Sequence, residues 1–479
     1  MRAGRLPEAL RLAEQAVVAK TACSPAHGLF ATILLRLGRP AEAEAAVERA
    51  LKCARGTAEA YAALAYVSVA LGRHERASDL YQRATKLGPN VPGHWYNLAS
   101  SERALGRLEQ AEFACDRAIA LNPREYRGYL LRAELRVQTA AANHVEQLRC
   151  ELARADLSDS GRVLLGYALG KELDDLGQYE EAFRWLALAA STRRRQLAYD
   201  VAADEEQLRR IAEAFPRGPG RPVHAQDDSH RFVFIVGLPR SGTTLLERIL
   251  TGLPGVRSNG ESEYFARALL RAAFAEQTAA GRDAPDVLAR TAAADWGAVA
   301  ADYVRLADPG GTREVIVEKL PLNYLYLGAI HRALPQARLV LVSRSTLDVC
   351  FAIYCTLFGE AYPFSYDFPD LARYYAAYSR LIVHWRDACG ESIHDVAYEE
   401  LVHDPVRVGA SVARFCGLEW RDSAVQIERN TAVCLTQSSA QVRQPIHRAS
   451  TGRWRRYRTQ LEPLIELLRH QGVRLAELD

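Results

Sequence analysis

The chain has 479 residues, 49% hydrophobic and 25% charged, which is ordinary globular usage and excludes a largely disordered protein. At roughly 100–200 residues per domain, that length predicts two to four domains. Its 61 basic and 58 acidic side chains leave a formal charge of +3, too nearly neutral for a general nucleic-acid binder.

A Gly-Arg pair stands at Gly4-Arg5, Gly38-Arg39, Gly72-Arg73 and Gly106-Arg107, 34 residues apart each time. Five residues after each glycine come Ala9, Ala43, Ala77 and Ala111; twelve after it come Ala16, Ala50, Ala84 and Ala118. Pro89 and Pro123 follow the last two units. A glycine breaks the helix at a hairpin turn, small residues seven apart let neighbouring helices approach, and proline ends the second helix. Trp95 and Leu98 supply bulk to the first helix of a unit. This pattern resembles the tetratricopeptide repeat, whose stacked helix pairs form a groove for a peptide or partner protein. A fifth unit follows at Gly177, Ala182, Trp185 and Ala189, out of phase by three residues. Gly4 is then a hairpin glycine, and the natural protein is expected to begin upstream of Met1.

Ser191–Arg195 leads into a polar helix, and the run Phe215-Pro-Arg-Gly-Pro-Gly-Arg-Pro222 carries no helical periodicity. The expected organisation is repeats over 1–195, a linker over 196–222 and a second domain over 223–479. That domain opens with Arg231–Val236, an apolar run of β-formers, and continues through Gly237-Leu-Pro-Arg-Ser-Gly-Thr-Thr244 into an amphipathic helix. Strand, glycine-bounded loop and helix together make a phosphate cradle, with backbone N–H groups and the positive helix end facing an anion. The Gly-x4-Gly spacing matches a nucleoside-triphosphatase loop, but Thr243 stands where that motif has its lysine.

Pro239-Arg-Ser-Gly-Thr-Thr244 resembles the 5′-phosphosulfate loop of sulfotransferases that use 3′-phosphoadenosine 5′-phosphosulfate (PAPS), especially the tyrosylprotein-sulfotransferase-like branch. The resemblance implies that Arg240, Ser241, Gly242, Thr243 and Thr244 hold the 5′-phosphate and the sulfuryl group. It implies a catalytic base at Glu261, in Gly260-Glu-Ser-Glu263, with Glu263 as the alternative. In Glu314–Asn323, a strand ending in Lys319 and followed by a proline-limited turn, Lys319 takes the place of a lysine that neutralises charge between sulfuryl and leaving phosphate. It is the one lysine after residue 171 in a chain rich in arginine, and its loss is expected to spare the fold. Arg344, after the strand Ala337–Val342, matches the 3′-phosphate arginine, while Ala352 stands where the family has a serine hydroxyl. Tyr398 matches a tyrosine near the adenine, Ser438 a serine at the sulfuryl region, and Arg453 a basic residue near the 3′-phosphate.

The expected fold is therefore an α-solenoid of tetratricopeptide repeats joined to a P-loop-like α/β domain with a parallel sheet. The expected chemistry is metal-free transfer of a sulfuryl group from PAPS to an acceptor hydroxyl of a protein tyrosine, a glycan or a small molecule. Two alternatives are a P-loop nucleotide kinase or NTPase, which Thr243 argues against, and a repeat scaffold with a weak catalytic domain, for which Ala352 argues. The expected partners are PAPS, an unidentified acceptor and a protein or peptide in the repeat groove, with no nucleic acid. The nine cysteines are odd in number and lack metal-site spacing, the start has no apolar signal core, and no run approaches 18 apolar residues. A cytoplasmic location without a membrane span is the corresponding expectation.

Overall fold

The computed structural model describes residues 6–19, 25–52, 56–216, 231–274, 286–312, 314–437 and 439–478. The chain divides into two compact units, one of residues 1–185 with 431–440, the other of residues 186–430 with 441–479.

The first unit is helical: α1 (Leu6–Ala19), α2 (Pro25–Arg36), α3 (Pro40–Leu51), α4 (Ala58–Ala70), α5 (His74–Leu87), α6 (Pro92–Leu105), α7 (Leu108–Leu121), α8 (Tyr126–Glu134), α9 (Val145–Leu152) and α10 (Asp159–Asp175). Helix α11 (Tyr179–Arg195) follows and carries the chain out of it. The repeat is visible in the backbone. Gly38, Gly72, Gly106 and Gly177 have φ of 71°, 73°, 80° and 75°, a left-handed conformation that costs other residues roughly 1–2 kcal/mol. Past each of these glycines the next N–H reaches back across the turn: Arg39 to Leu34, Arg73 to Ser68, Arg107 to Glu102 and Gln178 to Leu173. These bonds satisfy carbonyls that a helix end otherwise leaves open. Ala43, Ala50, Ala77, Ala84, Ala111 and Ala118 are fully buried, as close helix packing requires, whereas Ala9 is only partly buried and Ala16 is exposed. The fifth unit keeps the device, with Ala182 and Ala189 both buried.

Residues 431–440 belong to this helical unit although they lie far along the chain. The Cys434 N–H donates to the Ala104 carbonyl at 3.1 Å, and Arg103 donates to Ser439 Oγ at 3.0 Å.

The second unit is built on a five-stranded, wholly parallel sheet: β1 (Phe232–Val236), β2 (Val256–Ser258), β3 (Val315–Glu318), β4 (Arg338–Ser343) and β5 (Ile393–Ala397), in the spatial order β2-β3-β1-β4-β5. All five residues of β1, the central strand, are buried, as expected where helices cover both faces of a parallel sheet. All strands being parallel, their carboxyl ends share one edge of the sheet, in steps: Glu318, the last residue of β3, is level with Phe234 in the middle of β1 and with Leu339 near the start of β4.

Within 196–222, expected as a linker, residues Val201–Ala214 form helix α12. Asp200 caps it by accepting from the Ala202 N–H, and its buried Val201, Leu208 and Ile211 explain why the segment is not free chain. It packs on the 22-residue helix Phe368–Cys389. Phe215 ends this segment between the rings of Trp296 and Trp385, at 6.1 and 6.2 Å. Residues 217–222 lie outside the described residues.

Candidate functional site

Each strand of the sheet delivers a candidate at its carboxyl end. Gly237 and the phosphate loop follow β1, Gly260-Glu261 follows β2, Lys319 follows β3, Arg344 follows β4 and Tyr398 follows β5. In open α/β sheets this edge is where ligands bind.

The loop after β1 is shaped by what it leaves out. A Cβ on Gly237 would stand 2.3 Å from the Val342 carbonyl oxygen, and one on Gly242 would stand 2.4 Å from Tyr398 Cδ2. Gly242 also has φ of 105°. Between them Arg240 holds φ at 68°, a conformation that non-glycine residues enter at a cost, and such outliers cluster at ligand sites. Helix α13 (Thr243–Leu250) starts on this loop without a side-chain cap. Ser241 Oγ is buried there with no hydrogen-bond partner. An uncapped helix end, a cradle lacking two Cβ atoms and an orphaned buried hydroxyl fit a phosphate-sized anion.

Arg344 ties the loop to the C-terminal segment around Ser450. Its guanidinium donates to the Arg240 carbonyl at 3.1 Å and to the Ser450 carbonyl, and it stacks over the Tyr398 ring at 4.9 Å. Burial pulls it below the usual guanidinium value, with Asp348 the first charge opposing that pull. Asp348, which sequence reasoning passed over, is 3.9 Å from Arg344 and accepts from the N–H groups of Gly452 at 2.6 Å and Trp454 at 3.1 Å. It thereby fixes the backbone that carries Arg453, whose guanidinium lies over Phe351 at 5.2 Å. Ala352, at the position where the sequence resemblance implies a serine, is buried in the helix Thr346–Tyr354. The N-terminus of that helix is already served by Glu477, which accepts from the Leu347 N–H at 2.7 Å.

Glu261 and Lys319 form the second cluster. Lys319 Nζ donates to Glu261 Oε1 at 2.5 Å, and the Lys319 N–H donates to the Gly260 carbonyl at 3.0 Å. Lys319 is 0% exposed, whereas the Glu261 side chain is 44% exposed. The base candidate is open to an incoming group, and the lysine lies behind it. A third charged group completes the cluster: Glu247, one turn into α13, lies 3.8 Å from Lys319 Nζ. Burial raises the Glu247 carboxyl above the ordinary carboxylate range, against the pull of Lys319.

Two buried carboxylates pin the loop that presents Glu261. Glu247 accepts from Ser258 Oγ at 2.5 Å, and Ser258 Oγ in turn accepts from the Gly260 N–H at 2.9 Å. On the other side Glu318 accepts from Ser262 Oγ and from Asn259 Nδ2, the latter at 2.7 Å. Burial lifts the Glu318 carboxyl to about 7. Tyr362, with φ of 51°, lies near enough to Glu261 that the carboxylate charge adds to burial in raising its hydroxyl above the usual tyrosine value. Glu263 opens the helix Tyr264–Ala273, where its charge faces Tyr326. Ser438 lies outside the described residues.

Comparison with known proteins separates the two parts of the chain. Residues 233–422 match the model of the sulfotransferase family. Residues 1–58, 29–92 and 62–126 match that of the tetratricopeptide repeat. A relative from Aquifex aeolicus (strain VF5), described as an uncharacterized protein, is 27% identical over 357 residues, covering 72% of this chain and 46% of its own length. This chain thus spans less than half of that relative. Among solved structures, the sulfotransferase domain of the Synechococcus PCC 7002 olefin synthase is 19% identical, with a TM-score of 0.36 over 55% of this chain and 99% of that one. Sulfotransferase STF1 of Mycobacterium tuberculosis H37Rv is 17% identical, with a TM-score of 0.29 over 64% and 93% of the two chains. Among the described residues, no helix is long and apolar enough to cross a membrane.

Proposed function

We propose that this chain, a sulfotransferase-family domain following tetratricopeptide repeats, is an enzyme that moves a sulfuryl group from PAPS to an acceptor hydroxyl. The observation that carries the reading is the pairing of Lys319 with Glu261 behind a lysine-less phosphate loop. PAPS would supply the activated sulfuryl group and a bisphosphate leaving group. Arg240 to Thr244 would hold its 5′ side. Arg344 and Arg453 would hold its 3′-phosphate, and Tyr398 would lie by the adenine. Glu261, half-exposed, would take the acceptor proton, because a hydroxyl attacking sulfur must lose it; a positioned base contributes about 10²–10⁴-fold. Lys319 would offset negative charge that grows in the transition state, where a preorganised cation acts most strongly. Ser438 enters this reading on its sequence position alone.

Phosphoryl transfer on such a loop relies on a lysine where this chain has Thr243. The alternative of a nucleotide kinase is therefore disfavoured. The repeats would take a protein or peptide, either as acceptor or as partner. Cys115, Cys350, Cys389 and Cys416 are buried free thiols, which suits a reducing cytoplasm. The deciding experiment is calorimetric titration with 3′-phosphoadenosine 5′-phosphate beside ATP and GTP. It is paired with sulfuryl transfer from labelled PAPS, in EDTA, to tyrosine peptides, glycans and phenols. Tight binding of ATP or GTP with none of the bisphosphate would refute the reading.

A further inference from the structure

We propose that Glu247 is a positioning residue: the standing counter-ion that keeps Lys319 charged and in place when Glu261 becomes neutral. This rests on the reading of Glu261 as base. Three observations lead there. Lys319 is wholly enclosed, so its ammonium depends on protein charges rather than water. Its near partner is Glu261 at 2.5 Å, and its other partner is Glu247 at 3.8 Å. Glu247 itself is held from β2, through Ser258 Oγ at 2.5 Å, and not by the lysine alone.

The two carboxylates differ in what the reaction does to them. When an acceptor hydroxyl gives its proton to Glu261 and keeps the electron pair on oxygen, Glu261 loses its charge. At that moment Lys319 would be a buried cation without its nearest anion, which is the condition that favours its own deprotonation. Glu247 supplies the remaining negative charge, from the helix that begins at the end of the phosphate loop. The other groups facing this cluster are Arg248, next to Glu247 on the helix, and the Tyr362 hydroxyl beside Glu261. Neither is an anion that could replace Glu247 at neutral pH.

The test uses the full chain without nucleotide, labelled with ¹⁵N-lysine; five lysines make the spectrum readable. The pH at which the Lys319 ammonium signal disappears is followed in Glu261→Gln, in Glu247→Gln and in the double variant. The expected result is a fall of about one pH unit or more in the double variant relative to Glu261→Gln alone. Glu247→Asp, which keeps the charge, should behave as wild type in the same titration and guards against a variant that folds poorly. Coincident titrations of Glu261→Gln and the double variant would overturn the proposal. In turnover, Glu247→Gln should lower kcat about tenfold while leaving nucleotide KM within about twofold, the mark of an interaction used in the transition state. A wild-type chain inactive with PAPS would refute the proposed function and leave the lysine titration to decide this inference separately.

Discussion

Lys319 Nζ and Glu261 Oε1 are 2.5 Å apart, so the two groups proposed for opposite ends of the chemistry hold one another. The pairing sets an anion beside the buried ammonium while leaving the Glu261 side chain 44% exposed. Glu261→Gln should retain nucleotide binding, because the phosphate loop is not its partner, and lose about 10²-fold or more in kcat. Wild-type turnover in this variant, with any acceptor that works, would remove Glu261 as base.

The same burial corrects an expectation about the lysine. A residue at a strand end facing a ligand cleft was expected to be dispensable for folding, yet Lys319 is 0% exposed and lies between two carboxylates. Lys319→Ala should therefore lower the melting temperature as well as kcat, though by less than the roughly 3–5 kcal/mol of a fully buried pair, because Glu261 is 44% exposed and burial already raises the Glu247 carboxyl. Lys319→Met fills the space and should recover part of the stability and none of the rate. Thermal melts beside single-turnover rates separate the two effects.

Arg344→Ala should weaken binding of the bisphosphate nucleotide more than binding of the analogue without a 3′-phosphate. Charge-assisted hydrogen bonds are about twice as strong as neutral ones. Because Arg344 also donates to the Arg240 carbonyl, some loss is expected with both nucleotides. Arg344→Lys, which keeps charge but not the fork, should lie between. Equal losses for the two nucleotides would dissociate Arg344 from the 3′-phosphate.

Gly242→Ala tests the cradle directly. The new methyl would meet the Tyr398 ring at 2.4 Å with φ at 105°, and strain of this kind costs about 1–3 kcal/mol. Nucleotide titration should show binding reduced by tenfold or more, on the order expected if that strain is relieved by moving the loop. Unchanged binding and melting would show that the loop yields freely.

Glu318 gives a stability signature with pH. Its carboxyl is raised to about 7 in the fold by burial, so the folded chain holds a proton that the unfolded chain has already lost above the usual carboxylate range. Its contribution is thus complete at low pH and declines as pH rises to about 7, by up to about 3 kcal/mol in total. Glu318→Gln should flatten that limb in melts from pH 5 to 8; an unchanged slope would mean that another group carries it.

The repeats and the phosphate loop were legible in sequence because each depends on residues with one job. A left-handed turn calls for glycine, and Gly38, Gly72 and Gly106 recur at the helical-hairpin period. Lys319 stood out as a lone lysine at a strand end. Glu247 did not, because Leu-Leu-Glu-Arg reads as part of an amphipathic helix, in which a glutamate is ordinary, whereas every residue of α13 is buried and Glu247 lies 3.8 Å from Lys319. Strand β2 was unreadable for another reason: three half-buried residues carry no periodicity, and parallel pairing with β3 alone makes them a strand. Asp348 and the Ser258 and Ser262 anchors act on backbone and loops distant in sequence, which spacing cannot reveal.

The excursion of residues 431–440 into the helical unit bears on how such a protein can be cut and recombined. The polypeptide passes from one unit to the other at 185/186, 430/431 and 440/441. The repeat array is therefore not a detachable prefix. A protein shortened to begin at residue 186 would retain ten residues whose anchors, the Ala104 carbonyl and Arg103, had been removed. A transplant of the repeats onto another catalytic domain would have to carry two separated stretches of the gene, and a clean excision would have to bridge Asn430 to Gln441.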